Sequence, residues 1–181
     1  MRLFVAIEIS SEIRERLAEF VSRTQPRLAN ARWVRMEGLH ITLKFLGNVA
    51  DQRLGAIEQA LRRVEAAHFD LYLKAIGIFP NQRSPRVLWV GVQSGTELAA
   101  LASAVDTAMA SLGFEQEKRA FTPHVTLARF KEGSRTQNVS AAMPESNPSF
   151  GTMTATQFHL YESKLSPKGA SYTKLASFAL K

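Results

Sequence analysis

Short apolar runs along the chain alternate with segments whose apolar residues recur at helical spacing. Leu3 to Ile9 is β-branched and apolar, the pattern of a buried strand. In SSEIRERLAEFVSR, Ser10 or Ser11 can cap a helix that sets Ile13, Leu17, Phe20 and Val21 on one side. Trp33–Val34 suits a short strand, and Gly38 precedes a longer one that begins at His40. Asp51 is the predicted cap of a second amphipathic helix carrying Leu54, Ile57, Leu61 and Val64. Phe69 to Phe79 and Arg86 to Gln93 read as a hairpin around the basic loop PNQRSP. Thr96 to Leu112 reads as a third helix, ended by Gly113, which takes the left-handed conformation at no steric cost. HVTLARF after Pro123 is a further strand, and residues 131–149 form a polar loop with room for one short helix. Thr152 to Ser163 and Tyr172 to Leu180 close the chain as two strands joined around SPKG. There is no regular βαβ alternation, so the predicted class is α+β with antiparallel sheets.

Two of these strands carry polar side chains inside apolar frames. In GLHITLKFLG, residues 38–47, strict alternation puts His40, Thr42 and Lys44 on one face and Ile41, Leu43 and Phe45 on the other. TPHVTLARF, residues 122–130, repeats His-x-Thr-Leu, with 124 − 40 = 84 residues between the histidines. Two copies at this period are not a solenoid. They predict two related lobes, each giving one strand to a shared cleft.

The pair suits acid–base chemistry. An unperturbed imidazole titrates near pH 6.5, so one ring can accept a proton while the other donates one. Thr42 and Thr126 share the histidine faces, where their hydroxyls can donate to the non-bridging oxygens of a phosphate held between the rings. A zinc site would want a third protein ligand, and neither motif has a carboxylate or cysteine clustered beside it.

Composition narrows the partners. The 181 residues, 45% hydrophobic and 22% charged, suit one domain or two tightly joined lobes with a core that needs no disulfide or metal. The absence of cysteine removes disulfides, Cys-ligated zinc and a cysteine nucleophile. Lysine and arginine exceed aspartate and glutamate by 23 − 16 = 7, which favours polyanions, nucleic acid first. No apolar stretch reaches the roughly 18 residues of a membrane span. MRLFVAIEIS is too soon interrupted by Glu8 and Ser10 for a signal peptide. The expectation is a soluble, cytoplasmic protein without membrane contact, and a monomer, because no apolar surface helix stands out.

At its two motifs the sequence resembles the two-histidine (2H) phosphoesterase superfamily, and within it the bacterial and archaeal RNA 2′,3′-cyclic phosphodiesterases, also called 2′–5′ RNA ligases (the LigT or ThpR family). RLFVAIEI, RWVRMEGLHITLKFLG, IGIFPNQRSPRVLWVGV, FTPHVTLARF and YESKLSPKGASYTKLASFAL carry the resemblance over essentially the whole chain. It implies one bilobal α+β domain over residues 1–181, with interleaved, pseudo-twofold-related lobes of antiparallel sheet around a central cleft. It also implies metal-independent opening of an RNA 2′,3′-cyclic phosphate to a 2′-phosphate without a cofactor, and the reverse 2′–5′ ligation. In hydrolysis, the resemblance makes His124 the proton acceptor and His40 the proton donor; the residues alone do not assign those roles. Phe45 and Arg129, each five positions after a histidine, are the implied nucleotide contacts, by stacking and by pairing with phosphate or base. An odd offset points away from the histidine face, so both need a bulge or a strand end to reach it. A nucleotide is a further expected occupant of the cleft.

Other residues fit bland roles. His68 reads as a surface residue and His159 as a hydrogen-bonded sheet histidine. Arg83 and Arg86 suit either a solvated loop or phosphate steering, and Trp33 and Trp89 suit core or rim. Two rival functions use the same cleft: a phosphodiesterase of small cyclic phosphates, and a non-catalytic RNA- or nucleotide-binding module.

Overall fold

The computed structural model describes residues 1–133 and 139–181, so part of the predicted loop at 131–149 lies outside the described residues. The first apolar run forms β1 (Arg2–Glu8) and leads into α1 (Ser11–Thr24). Ser10 caps α1, its hydroxyl accepting from the Ile13 amide at 3.3 Å. β2 (Ala31–Trp33) and β3 (His40–Asn48) follow. α2 (Leu54–Arg62) starts behind a 3₁₀ turn over Asp51–Arg53, so Asp51 heads that turn and α2 has no side-chain cap. Its end at Arg62 leaves Val64 outside the helix. β4 (Phe69–Phe79) and β5 (Val87–Gln93) form the predicted hairpin. α3 (Glu97–Ala110), β6 (His124–Phe130) and a single-turn α4 (Val139–Ala142) come next.

The predicted closing strand Thr152–Ser163 is two strands, β7 (Ser149–Ala155) and β8 (Gln157–Ser166), and β9 (Gly169–Ala179) completes the sheet. β7 pairs with β4, whereas β8 pairs with β1 and β9. The chain therefore changes neighbours at Thr156, a switch that continuous alternation in the sequence does not register.

Among the described residues all pairings are antiparallel, in the order β7-β4-β5-β6-β3-β1-β8-β9 with β2 beside β6, one sheet of nine strands. The two motif strands meet through the pair Ile41↔Val125, each residue one step after its histidine. About that pair the sheet is twofold-like: β1 flanks β3 on one side as β5 flanks β6 on the other. β4 follows the first motif in the chain but lies on the β6 side of that pair, and β8 follows the second motif but lies on the β3 side. The helices cross over likewise, α1 packing on β7 and α3 on β3.

The main core lies between the helices and one sheet face: Leu3, Val5 and Ile7 of β1, Ile41 and Val125 of the motif strands, Leu17 and Phe20 of α1, and Leu101 and Val105 of α3 belong to one buried cluster. On the opposite face of β1, Phe4 and Ala6 are buried under Tyr161 and Tyr172. β1 is thus covered on both faces, which is why it reads as an unbroken apolar run. Among the described residues no helix is long and apolar enough to cross a membrane.

Candidate active site

Both motif strands depart from strict alternation at the same place. Against β1, Lys44 faces Val5 and Thr42 faces Ala6, so Leu43 is an extra residue on β3. Against β5, Ala128 faces Leu88 and Thr126 faces Trp89, so Leu127 is extra on β6. A bulge of this kind turns the side chains that directly follow it to the other face. Lys44, predicted on the histidine face, is buried on the helix side with an ion pair to Asp106 of α3. Phe45 is 65% exposed and Arg129 is exposed, both now on the side of the histidines. The bulge brings together the six residues singled out from the sequence: His40, Thr42 and Phe45 on β3, His124, Thr126 and Arg129 on β6.

Each histidine is oriented from behind. His40 Nδ1 donates to the Gly38 carbonyl at 2.7 Å, and His124 Nδ1 donates to the Thr122 carbonyl at 2.8 Å. With Nδ1 protonated in both rings, Nε2 of the neutral form is the free base in each. Among the described residues, neither motif threonine hydroxyl has a hydrogen-bond partner, which leaves both available to a ligand.

The walls differ between lobes. His40 packs on Phe4 at 4.7 Å between ring centroids and edge-on to Tyr172 at 5.1 Å, with Tyr161 at 6.4 Å. His124 packs edge-on to Phe79 at 5.1 Å and beside Trp89 at 6.2 Å. Trp89 has room because its cross-strand partner is Gly77, where a Cβ would overlap the indole. Burial lowers the His40 pKa, the Gly38 bond opposes that, and the positive charges of Arg129 and His124 lower it further. The Tyr172 hydroxyl is pushed up by burial, with Arg129 and Arg2 opposing.

Phe4, Tyr161, Tyr172, Phe79 and Trp89 are the site residues that sequence reasoning missed or left in a general role. Parity along β8 and β9 marks Tyr161 and Tyr172 as sharing a face, but which strand lies beside them is a long-range fact. His159 is 1% exposed, with Nδ1 bonded to the Ser177 hydroxyl at 2.9 Å and Nε2 3.8 Å from Glu8. A cavity of about 330 Å³ beyond the end of β1 is lined by Glu8, Ser10, Arg14, Thr156 and His159, but by neither motif histidine. Among the described residues no three His, Asp or Glu side chains converge to hold a metal ion.

A single family model, the LigT-like phosphoesterases, matches the chain twice, over residues 7–89 and 90–172, one His-x-Thr motif in each half. The chain belongs to the LigT-like phosphoesterase family. Among its relatives, the RNA 2′,3′-cyclic phosphodiesterase of Archaeoglobus fulgidus is 37% identical over 178 residues, covering 98% of this chain and 99% of the relative. A crystal structure from Thermus thermophilus superposes with a TM-score of 0.85 at 30% identity, covering 99% of this chain and 98% of that one. Escherichia coli LigT complexed with 3′-AMP superposes with a TM-score of 0.82 at 31% identity, covering 99% and 97%. The two matches of the LigT-like model split the chain between Trp89 and Val90, inside β5.

Proposed function

We propose that this LigT-like chain hydrolyses the 2′,3′-cyclic phosphate at RNA ends to a 2′-phosphomonoester by paired-histidine acid–base catalysis, within one bilobal unit. Nε2 of His124 takes a proton from water, whose oxygen bonds to phosphorus. As the bond from phosphorus to the 3′-oxygen breaks, protonated His40 gives its proton to that oxygen. Water is consumed, and the histidines end with their protonation exchanged. The observation that carries this reading is the twin arrangement: two imidazoles on adjoining antiparallel strands, each with Nδ1 committed to a carbonyl two residues earlier.

Thr42 and Thr126 donate to the non-bridging oxygens, where charge builds in the transition state. Burial makes His40 a stronger acid once protonated, and an anionic phosphate beside it favours the protonated form. Arg129 binds phosphate, and exposed Phe45 gives a surface for a base. With a 5′-hydroxyl in place of water, the same course forms a 2′–5′ linkage with the histidines in the same roles; they exchange roles in its reversal, where the 3′-hydroxyl attacks phosphorus and the 5′-oxygen leaves with a proton. The names of the full-length relatives and the 3′-AMP complex of the E. coli protein support the substrate class. The test is product analysis on a cyclic-ended RNA in EDTA: a 2′-phosphate end is expected, and a 3′-phosphate end contradicts the direction of opening.

A further inference from the structure

The sheet continues differently on the two sides of the histidine pair. On β1 the residue facing His40 is Glu8, whose carboxylate accepts from Lys174 Nζ at 2.7 Å and stands 3.6 Å from Arg14. On β5 the residue facing His124 is Gly91, and on β4 the residue facing Gly91 is Lys74. Directly opposed residues share a face. Leu71 and Leu73 of β4 belong to the core on the helix side, so Tyr72 and Lys74 lie on the histidine side. Gly91 puts no side chain between Lys74 and His124, whose Cα atoms are two strand spacings apart, roughly 10 Å. The sheet itself requires that glycine. β4 bulges at Ala75, and a Cβ on Gly91 would lie 2.8 Å from the Lys74 carbonyl.

The Lys74 ammonium rests over the Tyr72 ring, 5.4 Å from its centre, and the Tyr72 and Ser149 hydroxyls are hydrogen-bonded at 2.7 Å. Among the described residues Lys74 has no carboxylate partner. A free ammonium is a point charge suited to a phosphate. Attacking and leaving oxygens lie roughly in line in phosphoryl transfer. With the leaving 3′-oxygen at His40, an attacking 5′-hydroxyl sits at His124, and its strand runs outward over Gly91. On the His40 side the facing residue is a carboxylate, and Lys174 is committed to it. We infer that Lys74 forms an acceptor subsite, binding the first internucleotide phosphate of the RNA whose 5′-hydroxyl attacks in 2′–5′ ligation and whose 5′-oxygen leaves in the reversal. This rests on the paired-histidine reading and deepens it: the acceptor is a 5′-hydroxyl oligonucleotide, in preference to a single nucleoside.

The test compares wild type with Lys74→Ala on three substrates. One is an RNA ending in a 2′,3′-cyclic phosphate, whose hydrolysis uses water and no acceptor strand. The second is an oligonucleotide with several nucleotides on the 5′-oxygen side of one 2′–5′ linkage. The third is a 2′–5′-linked dinucleoside monophosphate, which has no phosphate beyond its linkage. The expected result is a fall of about tenfold, or about 1.4 kcal/mol, in the ratio of kcat/KM for breaking the 2′–5′ oligonucleotide over hydrolysing the cyclic end. The ratio taken with the dinucleoside should stay near its wild-type value. Lys74→Arg should restore part of the oligonucleotide ratio, and Lys74→Ala should make its salt dependence shallower. If Lys74→Ala fails to fold, Lys74→Gln carries the same comparison. An unchanged oligonucleotide ratio overturns the subsite, and so does an equal fall with the dinucleoside, which offers the ammonium no further phosphate. A wild type that hydrolyses cyclic ends but does not break the 2′–5′ linkage also overturns it, and leaves the hydrolysis reading standing. If wild type turns over none of the three, the phosphodiesterase reading fails, and the subsite is judged by binding of the 2′–5′ oligonucleotide. There, about tenfold weaker binding in Lys74→Ala supports the subsite and equal binding overturns it.

Discussion

Lys44 separates the bulged geometry from strict alternation. Its side chain is 7% exposed, ion-paired to Asp106 and donating to the Glu115 carbonyl at 2.8 Å. Asp106 also accepts from the Glu117 amide at 3.3 Å. Asp106→Ala leaves the ammonium buried with a single carbonyl partner. Breaking one side of a buried pair costs about 3–5 kcal/mol. Asp106 is 18% exposed, so water can enter in its place and the lower end, about 3 kcal/mol, applies. Removing both charges in Lys44→Met/Asp106→Leu should cost less than about 1.5 kcal/mol, because no charge is stranded. Urea unfolding reads both values, with an unchanged m-value as the check that the variants unfold as wild type does. Turnover of the folded variants should stay near wild type. An Asp106→Ala protein within about 0.5 kcal/mol of wild type would refute the reasoning. So would a Lys44→Met protein of full stability and lost activity, which would return Lys44 to the histidine face.

Burial pushes His159 down to about 4 from an ordinary 6.5, so the folded protein keeps it neutral where the unfolded chain takes up a proton. Stability should therefore fall as pH drops from 6.5 toward about 4, by on the order of 3 kcal/mol for this residue, and His159→Gln should flatten that dependence in denaturant titrations at each pH. In the free protein the His40 ring should titrate below 6.5 by NMR and move upward in Arg129→Gln, because a positive charge is removed; an unmoved midpoint would detach Arg129 from the site. Gly77→Ala forces the Trp89 indole off its place against His124 and should cost about 1–3 kcal/mol with a shifted tryptophan emission. An unchanged melting temperature and spectrum would show that the indole has slack.

Local pattern carried the reading far, because strands and helices impose short periods on the sequence. The Ser10 cap, the hairpin of β4 and β5 and the repeat of His-x-Thr-Leu were all legible. The bulge was legible only as a requirement: Phe45 and Arg129 needed one, but nothing local marks Leu43 or Leu127 as the extra residue. What sets it is the register against β1 and β5. The break at Thr156 and the pairing of β8 with β1 and of β7 with β4 are long-range facts of the same kind. The aromatic walls of the two histidines and the line from His124 over Gly91 to Lys74 likewise depend on which strands become neighbours.

The most direct measurement follows a short RNA ending in a 2′,3′-cyclic phosphate, in EDTA, with wild type, His40→Ala and His124→Ala, separating 2′- from 3′-phosphate products. Turnover to a 2′-phosphate that falls at least about 100-fold in each variant is the predicted result, the scale of a general acid or base. Turnover indifferent to both histidines, or absent from the wild type, would contradict paired-histidine catalysis and leave the cleft a binding site.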